Sequence, residues 1–299
     1  MPSISSNSIT IEYELFGDKG PVVVLIMGLG MQMVAWPTEF IQAIVSAGYR
    51  VLRFDNRDIG LSTWFDQKGK PSLALMAAKY AVRLPISAPY NLTDMANDAV
   101  GVCDALRIKQ AHWIGVSMGG MIAQLIAVNH PNRVLSLISI MSSSGARNLP
   151  GPTIAARKAL MQRPPKVRDP AKRTAVWVEH TLKLLKVIGS PNNPAPDDEI
   201  RARLRASIER SLHPEGTLRQ MAAILSDGDR SKRLRTINVP TLVVHGTVDP
   251  LVPMACGQDT AKKIAHSRFV SVVGMGHDLA PIAQSGILAA AIPFMGNLR

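Results

Sequence analysis

The segment IGVSMGG at residues 114–120 constrains the fold of this chain more than any other stretch of it. It joins a strand-like apolar run to a helical apolar pattern, and Ser117 stands between them with Gly115 and Gly119 two positions to either side. A G-x-S-x-G turn between a strand and a helix forces strained backbone angles on its serine and lifts the hydroxyl clear of the sheet. The pattern therefore predicts a nucleophilic serine, and a glycine turn without chemistry is the alternative.

Apolar runs and helical patterns alternate along most of the chain. Strands are predicted at 9–16, 22–27, 50–55, 112–116, 134–141, 241–245 and 269–273, and helices at 40–47, from 91 to about 106, at 118–129 and at 279–294. Such alternation predicts a parallel sheet with helices on both of its faces. The pattern breaks between about 150 and 235, where no strand is convincing and the spacing of Ile200, Leu204 and Ile208 indicates an amphipathic helix. A helical insertion of roughly 90 residues is expected there.

A serine nucleophile needs a general base and an acid that orients the base. Of the seven histidines, His277 follows a strand on a glycine loop, in VVGMGHDLAP, which predicts a place at the carboxyl edge of the sheet. Asp249, in VVHGTVDPLVP, follows the preceding strand and completes the order Ser, Asp, His, although it could also be a plain turn residue before a proline. Asp278 is a weaker candidate, because its side chain would diverge from the imidazole of its neighbour. The N–H of Met118, at the start of a helix, is expected to stabilise developing negative charge.

The formal net charge of +12 comes mainly from the predicted insertion, where 19 basic and 9 acidic residues lie between positions 147 and 235. The arginines fall on the outer side of the amphipathic helix, which favours a solvated charged face; steering of anionic substrates and contact with lipid headgroups are the alternatives. Cys103 and Cys256 have no metal-type spacing, and neither a signal peptide nor a membrane-spanning stretch is visible. The expectation is a cytoplasmic protein with no nucleic-acid partner, no metal and no stable membrane insertion.

Three motifs together resemble the α/β-hydrolase superfamily: GVSMGG at the serine, HGTVDP at the aspartate and GMGHD at the histidine. The segments MGLGMQMVAWP and RFDNRDIGLST are similar to those of bacterial esterases related to the aclacinomycin methylesterases, which cleave methyl esters on polyketides. The resemblance implies the α/β-hydrolase fold, a mostly parallel eight-stranded sheet flanked by helices, with an inserted helical cap. It implies a core domain at 1–146 and 236–299 and a cap, or lid, at 147–235.

The same resemblance implies a serine hydrolase that cleaves carboxylic esters through its Ser-His-Asp set and an acyl-enzyme. The second N–H of the oxyanion hole, beside that of Met118, would belong to Leu29. Arg57 and Asp58 are expected to form an ion pair beneath the site. For any single methionine near the site, core packing is the alternative to a role in the pocket. Four residues in or beside the site loops are expected to bind substrate: Met27, Gly28, Trp36 and Met275.

Other functions use the same arrangement of residues. C–C bond hydrolases, lactonases, perhydrolases and acyltransferases of this fold are alternatives, and so is a non-catalytic ligand-binding module. A dinucleotide-dependent oxidoreductase is suggested only by VVVLIMGLG at 22–30, and a G-x-G-x-x-G fingerprint would need glycine where Met33 stands. We therefore expect an esterase that needs no cofactor and acts on a small-molecule ester.

Overall fold

An eight-stranded sheet forms the centre of the computed structural model, which describes residues 2–162, 166–192 and 194–298. In chain order its strands are β1 (Ser3–Ser6), β2 (Ile9–Phe16), β3 (Val22–Ile26), β4 (Arg50–Phe54), β5 (Ala111–Val116), β6 (Val134–Ile140), β7 (Thr241–Gly246) and β8 (Arg268–Val272). They lie side by side in the order β1-β2-β4-β3-β5-β6-β7-β8. The pairings of β1 with β2 and of β2 with β4 are antiparallel, and the others are parallel. The carboxyl ends of β3 to β8 therefore meet at one edge, and the mostly parallel sheet is confirmed.

Continuous apolar runs account for the middle of the sheet. Every residue of β3, β5 and β7 is buried, as expected for parallel strands that are covered on both faces. These strands begin and end within one residue of their predicted limits. The sequence does not predict β1, because SISS is polar. This edge strand is held by backbone pairing with β2 and by the hydroxyl of Ser6, which donates to the carbonyl oxygen of Asp98 at 2.7 Å.

Helices cover both faces of the sheet. They are α1 (Thr38–Ser46), α2 (Leu73–Ala81), α3 (Leu92–Ala105), α4 (Met118–Asn129), α5 (Ile154–Leu160), α6 (Pro170–Ile188), α7 (Asp197–Arg210), α8 (Pro214–Asp227), α9 (Ser231–Leu234), α10 (Met254–Lys263) and α11 (Pro281–Gly296). α3 and α4 pack on one face and α1 and α11 on the other, each pair over its own buried apolar cluster. Asn91 and Asp94 form the capping box of α3 that the sequence predicts. The sequence does not predict α2 or α10: α2 is apolar at every position except Lys79, so no single face stands out, and α10 is short and rich in small and polar residues.

α5 to α9 lie between β6 and β7 in the chain, where the sequence predicts a helical insertion. α6 and α7 pack against each other through a small apolar cluster of their own, in which Val178, Leu182 and Leu204 are buried. The predicted amphipathic helix is α7, and Ile200 and Ile208 pack against the same cluster. The insertion therefore has a small core of its own, separate from the two clusters beside the sheet.

Arg57 and Asp58 do not pair with each other, which corrects the expectation from the sequence. Arg57 donates to both carboxylate oxygens of Asp98, with N···O distances of 2.6 and 2.7 Å. Asp58 has a φ of 69°, and its carboxylate accepts from Nε and Nη2 of Arg219 at 2.8 Å each. Both pairs are almost wholly buried. One joins α3 to the loop after β4, and the other joins α8 of the insertion to the same loop.

Candidate active site

Ser117 lies on a sharp turn between β5 and α4. Its backbone angles, φ 55° and ψ −119°, are ones that L-residues adopt only under strain. The glycines beside it have no room for a side chain. A Cβ on Gly115 would lie 2.1 Å from the carbonyl oxygen of Gly119, and a Cβ on Gly119 would lie 2.1 Å from the carbonyl oxygen of Ile26. The G-x-S-x-G spacing is thus a steric requirement of this turn.

Three side chains form a continuous hydrogen-bonded chain at the carboxyl edge of the sheet. Oγ of Ser117 lies 3.0 Å from Nε2 of His277, and Nδ1 of His277 lies 2.7 Å from Oδ2 of Asp249. Because a carboxylate only accepts hydrogen bonds, Nδ1 carries the proton and Nε2 is left to accept from the serine hydroxyl. The three residues follow β5, β7 and β8, so the sheet brings them together from positions far apart in the chain.

The carboxylate of Asp249 is held by its own loop. Its Oδ1 accepts from the N–H groups of Leu251 and Val252, at 2.9 and 2.8 Å, which leaves Oδ2 for His277. The carbonyl oxygen of Val252 in turn lies 2.7 Å from Nε2 of the fully buried His245. Since a carbonyl only accepts, the proton of His245 is on Nε2, and burial lowers the pKa of this imidazole. A neutral histidine therefore supports the loop that carries Asp249.

The N–H groups of Leu29 and Met118, predicted to bind an oxyanion, lie on two segments that meet at Ser117. Met118 is the first residue of α4, so its N–H has no acceptor within the helix. The loop of Leu29 passes close to the serine, since a Cβ on Gly28 would lie 3.3 Å from Cβ of Ser117. Among the residues that the structure describes, neither N–H has a hydrogen-bond acceptor. Both groups are therefore free to donate to a ligand.

Side chains from distant parts of the chain hold the loop after β3. Gln220 of α8 accepts from the N–H of Gly30 and donates to the carbonyl oxygen of Arg57, both at 2.9 Å. Asn56 donates to the carbonyl oxygen of Met27 at 3.0 Å. Sequence reasoning misses Gln220, because a polar residue on a predicted helix gives no sign of a partner 190 positions away.

The loop that carries His277 is bound to the end of α6. The N–H of His277 donates to the carbonyl oxygen of Ile188 at 2.7 Å, and the N–H of Gly276 donates to the hydroxyl of Ser190 at 2.9 Å. Asp278 accepts from the hydroxyl and the N–H of Ser190, at 2.6 and 2.9 Å. The carboxylate of Asp278 therefore serves Ser190 and not the imidazole beside it. Nothing in the sequence marks Ser190 as a residue of this site.

A cavity of about 1890 Å³ opens in front of the serine, with mostly apolar walls from the loops after β3 and β5 and from α2, α6, α7 and α8. Met27 and Gly28, two of the residues expected to bind substrate, line it. Trp36 and Met275 are not among the described lining residues, which corrects the prediction for both: they are buried in the core beside α1 and α11. Trp36 stacks on Phe40 of α1, with ring centroids 5.3 Å apart. Both residues are close in sequence to a site loop, but neither side chain forms part of the cavity wall.

Three arginines of the insertion are largely buried, although the charge pattern favours a solvated face: Arg210, Arg219 and Arg230. Arg210, at the end of α7, lies 2.7 Å from Asp55, and Arg219 of α8 lies 2.8 Å from Asp58. Both carboxylates are fully buried, so each arginine supplies the charge that a buried carboxylate needs. Of the other arginines of α7, Arg205 is exposed, as the pattern favours, and Arg201 and Arg203 are partly exposed.

Residues 21–281 match the family described as alpha/beta hydrolase fold. The chain is 27% identical to rhodomycin D methylesterase of Streptomyces peucetius over 305 positions, which cover 97% of this chain and 95% of that protein. It is 27% identical to a 2-hydroxy-6-oxononadienedioate/2-hydroxy-6-oxononatrienedioate hydrolase of a Pseudomonas species over 245 positions, with 81% and 76% covered. A solved meta-cleavage product hydrolase from Pseudomonas fluorescens IP01 has the same fold, with a TM-score of 0.76 and 19% identity over 100% of this chain and 98% of that one.

The described residues contain neither a membrane-spanning helix nor a cluster of metal ligands. Every helix there is too short or too polar to cross a bilayer. The described residues also contain no group of three or more His, Cys, Asp or Glu side chains that could hold a metal ion. The family match extends over most of the chain and agrees with the order of strands in the sheet. The chain therefore belongs to the α/β-hydrolase family, as an esterase-type hydrolase related to the methylesterases.

Proposed function

We propose that this protein hydrolyses carboxylic esters with Ser117 as nucleophile, His277 as general base and Asp249 as the acid that orients the base. The observation that carries the proposal is the unbroken chain of hydrogen bonds from the hydroxyl through the imidazole to the carboxylate, at 3.0 and 2.7 Å. A serine hydroxyl is a weak nucleophile until a base can take its proton. Here the base is within hydrogen-bonding reach, and the serine faces a large apolar cavity.

The proposed reaction proceeds in two halves. Oγ of Ser117 attacks the ester carbonyl carbon while Nε2 of His277 takes the hydroxyl proton, and the N–H groups of Leu29 and Met118 donate to the resulting oxyanion. The imidazolium gives its proton to the departing alcohol, which leaves an acyl group on the serine. Water, deprotonated by the same imidazole, then attacks the acyl group and releases the acid. Asp249 stays ionised and stabilises the imidazolium in both halves.

The insertion at 147–235 is proposed to act as a cap, because α6, α7 and α8 supply much of the cavity wall. Since that wall is mostly apolar, the substrate that fits is an ester with a large apolar part. Together with the relationship to rhodomycin D methylesterase, this makes a polyketide methyl ester the first candidate. The two cysteines are free and buried, which agrees with the reducing cytoplasm that we propose as the place of action.

Hydrolysis of a 2-hydroxy-6-oxo-dienedioate, in which the same residues would cleave a carbon–carbon bond, is the second candidate. A relative is named for such a substrate, and four cations line the cavity, where they would meet a carboxylate: Lys70, Lys166, Lys186 and Arg203. Three of them already have acidic neighbours, with N···O distances of 3.2 Å from Lys70 to Glu215, 2.6 Å from Lys186 to Asp197 and 3.7 Å from Arg203 to Glu199. The apolar wall and these existing pairs therefore favour the ester.

An ester panel run on the wild type and on Ser117→Ala tests the proposal. The panel extends from p-nitrophenyl acetate to long acyl chains and includes a polyketide methyl ester and a dienedioate. We expect the variant to lose about 10⁴-fold to 10⁶-fold in kcat, because no other group supplies the nucleophile. Its melting temperature should stay close to that of the wild type.

The matched control is Ser226→Ala, which removes a hydroxyl that donates to the carbonyl oxygen of Ala223 within α8. This control should keep full activity. Near-normal ester hydrolysis by Ser117→Ala would refute the assignment of the nucleophile. Turnover of the dienedioate without turnover of any ester would establish the second candidate in place of the first.

A further inference from the structure

The segment at residues 73–86, which we term the apolar rim, exposes an unusual amount of apolar surface. It comprises α2 and the five residues after it, with the sequence LALMAAKYAVRLPI. Within the rim Met76 is the one fully buried residue. A contiguous apolar patch that faces water marks a surface that binds something. Four large side chains of the rim are between 56% and 66% exposed: Leu75, Tyr80, Val82 and Leu84.

The rim is a well-formed element, so its exposure does not come from a frayed loop. Ser72 caps α2 by accepting from the N–H of Leu75 at 3.3 Å. At the other end Arg83 has a φ of 61°, and the N–H of Leu84 donates to the carbonyl oxygen of Lys79 at 2.9 Å. This is the hydrogen bonding that closes a helix with a left-handed residue. The apolar side chains therefore stand on a defined surface.

The rim is also positively charged. Between positions 67 and 93 the sequence contains no aspartate or glutamate. The rim itself carries Lys79 and Arg83; Lys68 and Lys70 lie just before it, and Lys70 pairs with Glu215 of α8 at 3.2 Å. Asp66, just before this stretch, is engaged by Arg219 and His213, each at 2.8 Å. Helices that lie in the interface of a membrane typically combine exposed leucine and valine side chains with neighbouring Lys and Arg. A second copy of this chain would bring the same cations face to face, whereas an anionic lipid surface would neutralise them.

The cavity in front of Ser117 reaches the surface at the rim. Tyr80 is 61% exposed and also lines the cavity, and Leu73 lines it from the first turn of α2. Met161, from the insertion, likewise is 53% exposed and lines the cavity. The mouth is therefore bordered by apolar side chains, and the exposed apolar side chains of the rim lie beside it.

We propose that the apolar rim binds anionic lipid bilayers. Leu75, Val82 and Leu84 enter the boundary between headgroups and acyl chains, and Lys79 and Arg83 pair with the lipid phosphates. An apolar ester dissolved in the bilayer then reaches the cavity through its mouth without crossing water. The inference concerns where the protein binds, so it holds whether or not the chemistry at Ser117 is that of an esterase.

Co-sedimentation with vesicles tests the inference. The wild type should sediment with vesicles of phosphatidylglycerol and phosphatidylcholine in equal parts, sediment less with phosphatidylcholine alone, and be released as salt rises. Lys79→Gln combined with Arg83→Gln should weaken binding to the anionic vesicles about thirtyfold. Lys19→Gln combined with Lys109→Gln makes the same change of net charge on exposed lysines outside the rim and should have little effect.

The apolar contribution is tested separately. Val82→Ser combined with Leu84→Ser removes apolar side chains without changing the charge and should weaken binding strongly, whereas Leu298→Ser, which changes an exposed leucine outside the rim, should preserve it. Ser117→Ala should bind like the wild type, and the rim variants should keep their turnover of water-soluble p-nitrophenyl acetate. These two readouts separate a failure of the surface from a failure of the proposed reaction.

Results of two kinds would overturn the inference, one about binding to vesicles and one about self-association. One is a wild type that does not bind the anionic vesicles, or rim variants that bind them as well as their controls do. The other is self-association of the wild type that Leu84→Asp abolishes, because the occupant of the rim would then be a second copy of the chain.

Discussion

The loops that carry Ser117, Asp249 and His277 hold their positions differently from the helical insertion at 147–235. Each loop follows a strand of one sheet. The bonds of the Asp249 loop are local, since Oδ1 of Asp249 accepts from the N–H groups two and three positions further on, whereas the His277 loop also bonds to Ile188 and Ser190 of the insertion. The insertion is attached by single polar side chains whose partners are distant. The pairs with Asp55 and Asp58 span 155 and 161 positions, and the bond from Gln220 spans 190.

This difference implies that the loops and the attachment of the insertion respond differently to substitution. A parallel sheet that is covered on both faces cannot shift without opening the core, so the reacting groups keep their geometry as long as the core is intact. A buried ion pair stabilises only while both partners are present, and the loss of one leaves an unpaired charge. Substitutions in the loops should therefore lower activity and spare stability. Substitutions of the side chains that attach the insertion should lower stability and spare activity.

The largest expected effect is that of Asp249→Asn. An asparagine can donate to Nδ1 of His277, which favours the tautomer with its proton on Nε2 and leaves no acceptor for the hydroxyl of Ser117. We expect kcat for p-nitrophenyl acetate to fall about 10⁴-fold while the free energy of unfolding changes little. Asp229→Asn, on the insertion, is the control and should keep its activity. A loss of only a few-fold in the Asp249 variant would mean that the imidazole does not need this carboxylate.

The next largest effect is that of Arg219→Met on stability. Its guanidinium is 1% exposed and holds the fully buried carboxylate of Asp58. Removal of the cation leaves that carboxylate without its charge partner, and we expect a loss of about 3–5 kcal/mol in the free energy of unfolding, measured with urea. Arg219→Met combined with Asp58→Asn should recover much of the loss, because the unpaired charge is gone. If the single variant unfolds like the wild type, the insertion is not anchored by this pair.

The contrast between loops and insertion also explains which features the sequence predicts. The turn at Ser117 can be located because its flanking glycines are a local steric requirement, and the strands before Asp249 and His277 are continuous apolar or alternating runs. The sheet then brings the three residues to one edge. The local patterns therefore locate each loop, and the order of the strands brings the loops together. The structure places the three side chains in hydrogen-bonding contact.

The failures share a physical cause, which is that contact in space was inferred from nearness in sequence. Trp36 and Met275 lie beside site loops in the chain, but the backbone directs both side chains into the core. Arg57 and Asp58 are adjacent, yet the left-handed conformation of Asp58 sends the two side chains to different partners. The contact of Ser190 is not predicted for the opposite reason: this serine, just after α6, meets the histidine loop 88 positions away, and such a distant contact leaves no local pattern in the sequence.

Ser190→Ala, at a position where the insertion contacts the histidine loop, should have a moderate effect on activity. The hydroxyl accepts from the N–H of Gly276 and donates to Asp278, so its loss loosens the loop that carries His277. We expect kcat to fall about tenfold, equivalent to one hydrogen bond, with KM nearly unchanged. Ser190→Thr, which keeps the hydroxyl, should restore most of the rate. An effect on KM alone would mean that the bond shapes the cavity and does not position the base.

The smallest expected effect is that of His245, and it is confined to the dependence of stability on pH. Burial lowers the pKa of this imidazole below its ordinary value of 6.5, so the unfolded chain binds a proton where the folded chain does not. The stability that depends on this group is present above that ordinary value and is lost as the pH falls below it.

The free energy of unfolding of the wild type should therefore fall more steeply between about pH 7 and pH 5 than that of His245→Gln, which keeps a donor for the carbonyl of Val252. His130 and His180, whose pKa values burial also lowers, contribute equally to both proteins and cancel in the comparison. Equal slopes would show that the loop of Asp249 does not require a neutral imidazole behind it.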